Sequence, residues 1–141
     1  MIVNVSYKEI LDFVQREFNV SPVLKSVGAK CVEISYKPSP FLPEIGVTLK
    51  ILGLRKDIVC LSYDCGAAAN MLITGVVAYM QECRSQGKNC FPDGVLVNPV
   101  DMRVDIYPMR IKKLEKFMEF VELEDIVFDV TSVNVVFKLR D

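Results

Sequence analysis

The sequence contains no histidine in its 141 residues. Histidine is the commonest general base in enzymes and the usual partner of a nucleophilic serine or cysteine. Its absence excludes Ser–His and Cys–His hydrolytic sites, so any catalysis has to rest on Asp, Glu, Lys, Tyr or an unassisted Cys. Zinc sites that combine cysteine with histidine are excluded for the same reason.

The sequence also lacks the patterns that mark disulfide frameworks, metal sites and nucleotide sites. Its five cysteines are an odd number, and 51% apolar residues are enough for a core without crosslinks. The spacings Cys60-x4-Cys65 and Cys83-x6-Cys90 match no zinc pattern. Neither G-x-G-x-x-G nor a G-K-S or G-K-T sequence occurs. We therefore predict reduced thiols and a cytoplasmic location, with no metal and no cofactor.

Neither an excess of positive charge nor a long apolar run is present. Seventeen Lys and Arg against 18 Asp and Glu leave a net charge of −1, which predicts no nucleic-acid partner. Lys8 and Glu9 interrupt the first ten residues, so we predict no secretory signal. The most apolar stretch, Ala67 to Met80, is shorter than the roughly 20 residues that cross a bilayer, which predicts no membrane span.

The periodicity of apolar residues indicates helices and strands in one chain. Ser6 and Glu9 form a capping-box signature before an amphipathic helix that ends near Asn19. Apolar and polar residues then alternate as in half-buried strands. These stretches are 32–36, 45–51, 58–63, 95–97, 100–106, 126–130 and 133–139. A shorter third helix is predicted from about Met109, with the apolar stripe Ile111, Leu114, Phe117, Met118 and Val121.

These patterns predict a single α+β domain over residues 1–141. We expect an antiparallel or mixed sheet of about six to seven strands, an N-terminal amphipathic helix, one long apolar helix and the shorter third helix.

The long apolar helix, predicted over residues 67–86, is apolar nearly all round. Either it is simple core, or a subunit or an apolar molecule covers the surface that the sheet leaves uncovered. Polar side chains on it are available to orient a ligand. The candidate ligand or interface residues are Asn70, Leu72, Thr74, Gly75, Val76 and Tyr79.

Two charged groups are further candidates. Asp101, Arg103 and Asp105 alternate along the predicted 100–107 strand and share a face, where they form either a carboxylate pair for acid–base chemistry or a solvated outer surface. A basic cluster of Arg110, Lys112 and Lys113 opens the predicted third helix. It is either a site for a small anion or an acidic partner, or an ordinary charged surface.

The residues favour a non-catalytic binding or assembly module, and no catalytic residue is assigned. Such a module is expected to form a homo-oligomer, or to hold a small apolar molecule, through helix 67–86. The alternatives are a small enzyme that uses the carboxylates of the 100–107 strand and a regulatory domain that binds a small anionic ligand through Arg110, Lys112 and Lys113.

Overall fold

A computed structural model describes residues 1–37, 39–85 and 93–141, and its helices and strands follow one another along the chain as follows. The elements are β1 (Ile2–Ser6), α1 (Tyr7–Phe18), β2 (Val23–Gly28), β3 (Cys31–Tyr36), β4 (Ile45–Arg55), β5 (Ile58–Asp64), α2 (Gly66–Ser85), β6 (Val95–Asn98), β7 (Arg103–Ile106), a 3-10 turn (Pro108–Arg110), α3 (Glu115–Met118), β8 (Val121–Phe128) and β9 (Ser132–Leu139). The predicted mixture of helices with antiparallel strands is confirmed. The helix predicted over 67–86 corresponds to α2, and Gln86 lies outside the described residues.

In the described part of the chain, the strands form two antiparallel sheets rather than a single sheet of six to seven strands. The small sheet has the order β1-β9-β8, and the large sheet has the order β2-β3-β4-β5-β7-β6. β1 lies opposite β9, with Ile2 beside Val136. The expectation of one sheet was wrong because alternation shows which face of a strand is buried, whereas it does not show which strand lies beside it.

The core lies between the inner faces of the two sheets. Ile51, Val59 and Leu61 of the large sheet are buried there, and Leu123 and Ile126 of β8 pack against them. Because side chains alternate across a strand, the polar residues between these positions lie on the outer face of the large sheet. This outer face carries one of the candidate sites.

Two polar connections fasten β8 to the large sheet. Lys30 Nζ donates to the Asp125 carboxylate and to the Ile126 carbonyl oxygen, 2.7 Å away. The pKa of Asp125 lies below its usual value, mainly because Lys30 donates a hydrogen bond to the carboxylate. Burial has the opposite, smaller effect on this pKa. The second connection is Asp57, whose Oδ1 accepts from the Leu123 amide at 2.8 Å and whose Oδ2 accepts from Arg140 Nη2 at 3.0 Å.

Helix α1 begins and ends where the sequence predicts. Ser6 Oγ accepts from the Glu9 amide at 3.1 Å, which is the N-cap bond of the predicted capping box, and the Ser6 hydroxyl donates to the Glu9 carboxylate at 3.1 Å. Asn19 closes the helix in the left-handed region, with φ 55° and a bond from its amide to the Gln15 carbonyl. Tyr7 anchors the helix, because its buried hydroxyl donates to the Asp129 carbonyl oxygen at 2.6 Å. Burial raises the pKa of Tyr7.

The predicted third helix is largely absent from the structure. One 3-10 turn and the four residues of α3 replace it, and Val121, assigned to its apolar stripe, is the first residue of β8. Met118 and Val121 are both buried, three positions apart. That spacing resembles a helical stripe although the two residues belong to different elements, which explains the error.

The predicted 100–107 strand is shorter than expected. Asn98 Oδ1 accepts from the amides of Val100 and Asp101, at 3.1 and 3.2 Å, and these bonds hold a turn. Met102 then adopts φ 52°, so extended backbone begins only at Arg103. Asp101 therefore lies in the turn before β7.

Candidate functional sites

Helix α2 is attached to the rest of the protein along one narrow edge. Asn70, Ile73 and Val77 are half-buried, and their spacing of three and four residues places them on one side of the helix. Asn70 Nδ2 donates to the Pro99 carbonyl oxygen at 3.1 Å, and Asn70 Oδ1 accepts from the Tyr63 hydroxyl at 2.9 Å. Asn70 therefore joins the helix to the large sheet.

Thr74 also forms its hydrogen bond within the protein. Its hydroxyl donates to the Asn70 carbonyl oxygen at 2.8 Å, one turn earlier in the same helix. Asn70 and Thr74, two of the three polar residues that the sequence assigned to orienting a ligand along with Tyr79, are thus engaged in bonds within the protein.

The opposite side of α2 is an apolar stripe composed of Leu72, Gly75, Val76 and Tyr79. Leu72 is 63% exposed, Val76 51% and Tyr79 67%, and the neighbouring Met71 is 76% exposed. Their spacing of three and four residues forms a seam of the kind by which helices pair. No Asp, Glu, Lys or Arg occurs from Gly66 to Gln81. This part of the protein presents to solvent a surface with the composition of a core.

In the part of the chain that the structure describes, no helix is long and apolar enough to cross a membrane.

A recess of about 600 Å³ adjoins the first turns of α2. Its walls come from the segment Leu42–Gly46 and from the helix between Gly66 and Leu72. Cys65 also lines it, and burial followed by the nearby charge of Asp64 raises the pKa of this thiol. A raised pKa favours the protonated thiol, which is a poor nucleophile.

The outer face of the large sheet carries a polar depression of about 400 Å³, lined mainly from β5, β6 and β7. Asp105 is central to it, because it lies opposite Cys60 of β5 on one side and Leu96 of β6 on the other. The full lining is Arg55, Cys60, Leu96, Val97, Asn98, Asp101, Arg103 and Asp105. The three charged residues that the sequence singled out are therefore brought together at this depression.

Arg55 is a member of this group that was not predicted from the sequence. The pairing of β4 with β5 shifts between Ile51 and Gly53, so one extra residue enters β4. Such a bulge exchanges the faces of the following residues, and it places Arg55 on the outer face with Asp105. Gly53 in β4, which interrupts an alternating strand, was the signal available in the sequence.

No family model, curated protein or solved structure matches the chain. The function is therefore inferred from these surfaces alone.

The basic cluster lies in a turn rather than at the start of a helix. Arg110 ends the 3-10 turn with its guanidinium 4.5 Å from the centre of the Tyr107 ring. Lys112 and Lys113 follow it and are exposed. The helix after them has only four residues and begins at Glu115, so the helix dipole expected to oppose these charges is small. Within the described ranges, no ion pair involves Lys112 or Lys113.

Across residues 1–37, 39–85 and 93–141, no cluster of three or more Cys, Asp or Glu side chains has the arrangement needed to hold a metal ion. The described cysteines Cys31, Cys60 and Cys65 are free thiols.

Proposed function

We propose that this protein is a non-catalytic assembly module in which two copies associate through the apolar stripe of α2. The observation that supports the proposal is the exposure of Leu72, Val76 and Tyr79 on a helix that Asn70 joins to the large sheet. Contiguous exposed apolar surface on a folded domain is the usual mark of an interaction surface.

A second copy of the chain is the partner that the charges favour. The stripe has no charged residue from Gly66 to Gln81, so two copies related by a two-fold axis bring no like charges together there. The net charge of −1 adds little long-range repulsion between copies. A Cβ placed on Gly75 meets nothing within 4 Å, and this open position allows a second helix to approach the backbone closely.

The substitution Val76→Glu tests this association. It places a carboxylate twice in a symmetric interface, and we expect the dissociation constant to rise by about 100-fold or more, as for disruption of an interface hot spot. Sedimentation velocity over a concentration series measures the change. Because Val76 is largely exposed within one copy, the thermal unfolding temperature of the monomer should change little.

The matched control is Val130→Glu, which adds the same charge at a valine that is 82% exposed and far from α2 in sequence. This variant should associate like the unsubstituted protein. A protein that stays monomeric at every concentration, or an equal effect of both substitutions, would refute association through the stripe.

In a second form of the proposal, the protein binds a small apolar ligand against α2 instead of a second copy of the chain. The recess beside Leu72 supports it, since about 600 Å³ falls within the range of about 300–1,000 Å³ typical of ligand pockets. Native mass spectrometry of the freshly purified protein separates the two forms. A dimer without extra mass favours assembly, whereas a monomer that releases a small molecule on denaturation favours the recess.

An enzyme that uses carboxylates is the alternative function, supported by the polar depression around Asp105. Half-buried Asp105 lines the same concave site as Arg55 and Arg103, and such a set of charged residues suits acid–base chemistry on a polar substrate. If this alternative is correct, Asp105→Asn lowers hydrolysis of a panel of nitrophenyl esters, phosphates and glycosides by about 100-fold or more. The control is Asp12→Asn, an exposed position on α1. Equal turnover by both variants would rule out a catalytic role for Asp105.

A further inference from the structure

A cavity of about 570 Å³ lies between the two sheets, separate from α2 and from the polar depression. Its walls come from both sheets, from α1 and from the segment between β7 and β8. Every described residue that lines it is apolar except Tyr7, and the Tyr7 hydroxyl is already bonded to the Asp129 carbonyl oxygen. The cavity therefore has room for a ligand, but its described lining offers no side chain to bind a polar group.

A space of this kind is unusual in a small protein. Interiors pack about as densely as organic crystals, with few voids larger than a water molecule. Water gains little from a site without polar partners, whereas apolar cavities take up apolar molecules. The cavity volume also lies within the range of about 300–1,000 Å³ found for ligand sites.

The lining of the cavity extends across most of the large sheet. It includes Leu24 of β2 and Ile106 of β7, which are the first and last of five adjacent strands. At a strand spacing of about 4.8 Å, these two strands are about 19 Å apart. A lining that extends this far suits an extended chain better than a compact ring system.

We place the mouth of the cavity at Leu114 and Phe117, because these are the most exposed of its lining residues. Each is 39% exposed, while the others are buried or half-buried. Three exposed lysines stand beside them in the chain, namely Lys112, Lys113 and Lys116. No ion pair in the described part of the chain occupies these lysines, although Glu115 and Glu119 lie near them in sequence.

We infer that the cavity between the sheets binds a fatty carboxylate, with its unbranched hydrocarbon chain inside and its carboxylate at Lys112, Lys113 and Lys116. The apolar wall removes the chain from water, and the lysines at the mouth attract the anion while it stays solvated. Binding of the carboxylate gives a role to Lys112 and Lys113 of the basic cluster, which lie in a turn and not on a helix. The inference is independent of association through α2.

Isothermal titration calorimetry with octanoate, decanoate and dodecanoate tests whether the cavity binds the hydrocarbon chain. Each added methylene should increase the association constant by about fourfold, because it buries one more CH₂ group. Association constants that do not depend on chain length would overturn the inference, and this measurement requires no variant.

The double substitution Lys112→Glu with Lys113→Glu tests the head group. It should weaken dodecanoate binding by about tenfold and leave dodecanol, which has the same chain without charge, within about twofold. The control with Lys8→Glu and Lys50→Glu makes the same change of charge at exposed lysines elsewhere. An equal effect of the two double variants on dodecanoate would overturn the assignment of the mouth.

Filling the cavity with Val135→Trp tests the location. Val135 lies on β9 and lines the cavity, so the larger side chain should weaken dodecanoate and dodecanol alike by at least about tenfold. Val76→Glu on α2 should leave both affinities unchanged. The reverse pattern, with loss in Val76→Glu and none in folded Val135→Trp, would place the ligand on α2 instead.

Discussion

Asp57→Ala is expected to lower the free energy of unfolding by about 3 kcal/mol, measured by urea denaturation. The Asp57 side chain is only 11% exposed and accepts hydrogen bonds from the Leu123 amide and from Arg140. Its removal takes away the closer of the two carboxylates that pair with the half-buried guanidinium, and leaves only Glu122, at 3.8 Å. Arg140 also donates to the carbonyl oxygens of Met118 and Val121. Loss of the Asp57 carboxylate therefore also weakens the attachment of Arg140 to the start of β8.

The backbone of Asp57 adds to this effect. Its φ is 67°, in the left-handed region that Asp and Asn tolerate better than Ala. Asp57→Asn keeps that tolerance and an acceptor for the Leu123 amide while removing the charge. It should therefore lose about half as much stability as Asp57→Ala.

The control for both substitutions is Asp12→Ala on the exposed face of α1, which should change stability by less than about 0.5 kcal/mol. If Asp57→Ala falls in that same range, the carboxylate does not fasten the two sheets.

Met118→Ala is expected to cost about 3 kcal/mol, also measured by urea denaturation. Met118 is 1% exposed, the least exposed of the residues that form the core. It lines the cavity between the sheets, so truncation enlarges a space that the surrounding side chains already leave open. Met109→Ala, at a half-exposed position in the preceding 3-10 turn, is the control and should cost less than about 0.5 kcal/mol.

Comparison of Met118→Ala with Met109→Ala separates the effect of core packing from that of local structure. If Met118→Ala were as mild as Met109→Ala, the cavity would have to close around the truncated side chain. That outcome would mean that the small sheet can move toward the large sheet, and it would contradict a cavity of fixed size.

The features that the sequence predicted well are those decided by neighbouring residues. The start of α1 at the N-cap Ser6 and its end at Asn19 depend on hydrogen bonds within one helix. The alternation in β3, β4 and β5 likewise depends on one buried face per strand. Local patterns of this kind need no knowledge of the remainder of the chain.

The features that the sequence missed depend on distant contacts or on a change of register. β1 is a strand because β9 lies beside it. Arg55 joins Asp105 because a bulge shifts β4. The helical pattern of α2 also contained no information on which side would be covered, and the bonds of Asn70 to Tyr63 and Pro99 decide that.

The cavity could not be predicted from the sequence at all. Its lining residues each fit a core position in their own strand or helix, as Leu61 does in β5. Whether such residues meet or leave a gap depends on the distance between the two sheets. That distance is set in part by the connections at Lys30 and Asp57, which no periodicity reveals.

The pairing of β1 with β9 also has a consequence for the order of folding. Asn4 and Ser132, which share a hydrogen bond across this pair, are 128 residues apart, whereas all six strands of the large sheet lie between β1 and β8 in the chain. Contacts between distant residues form slowly because a long loop has to close first. On the ribosome, the large sheet is therefore synthesised in full before β8 and β9 exist, so its apolar inner face lacks the cover of β8 until these strands have been made.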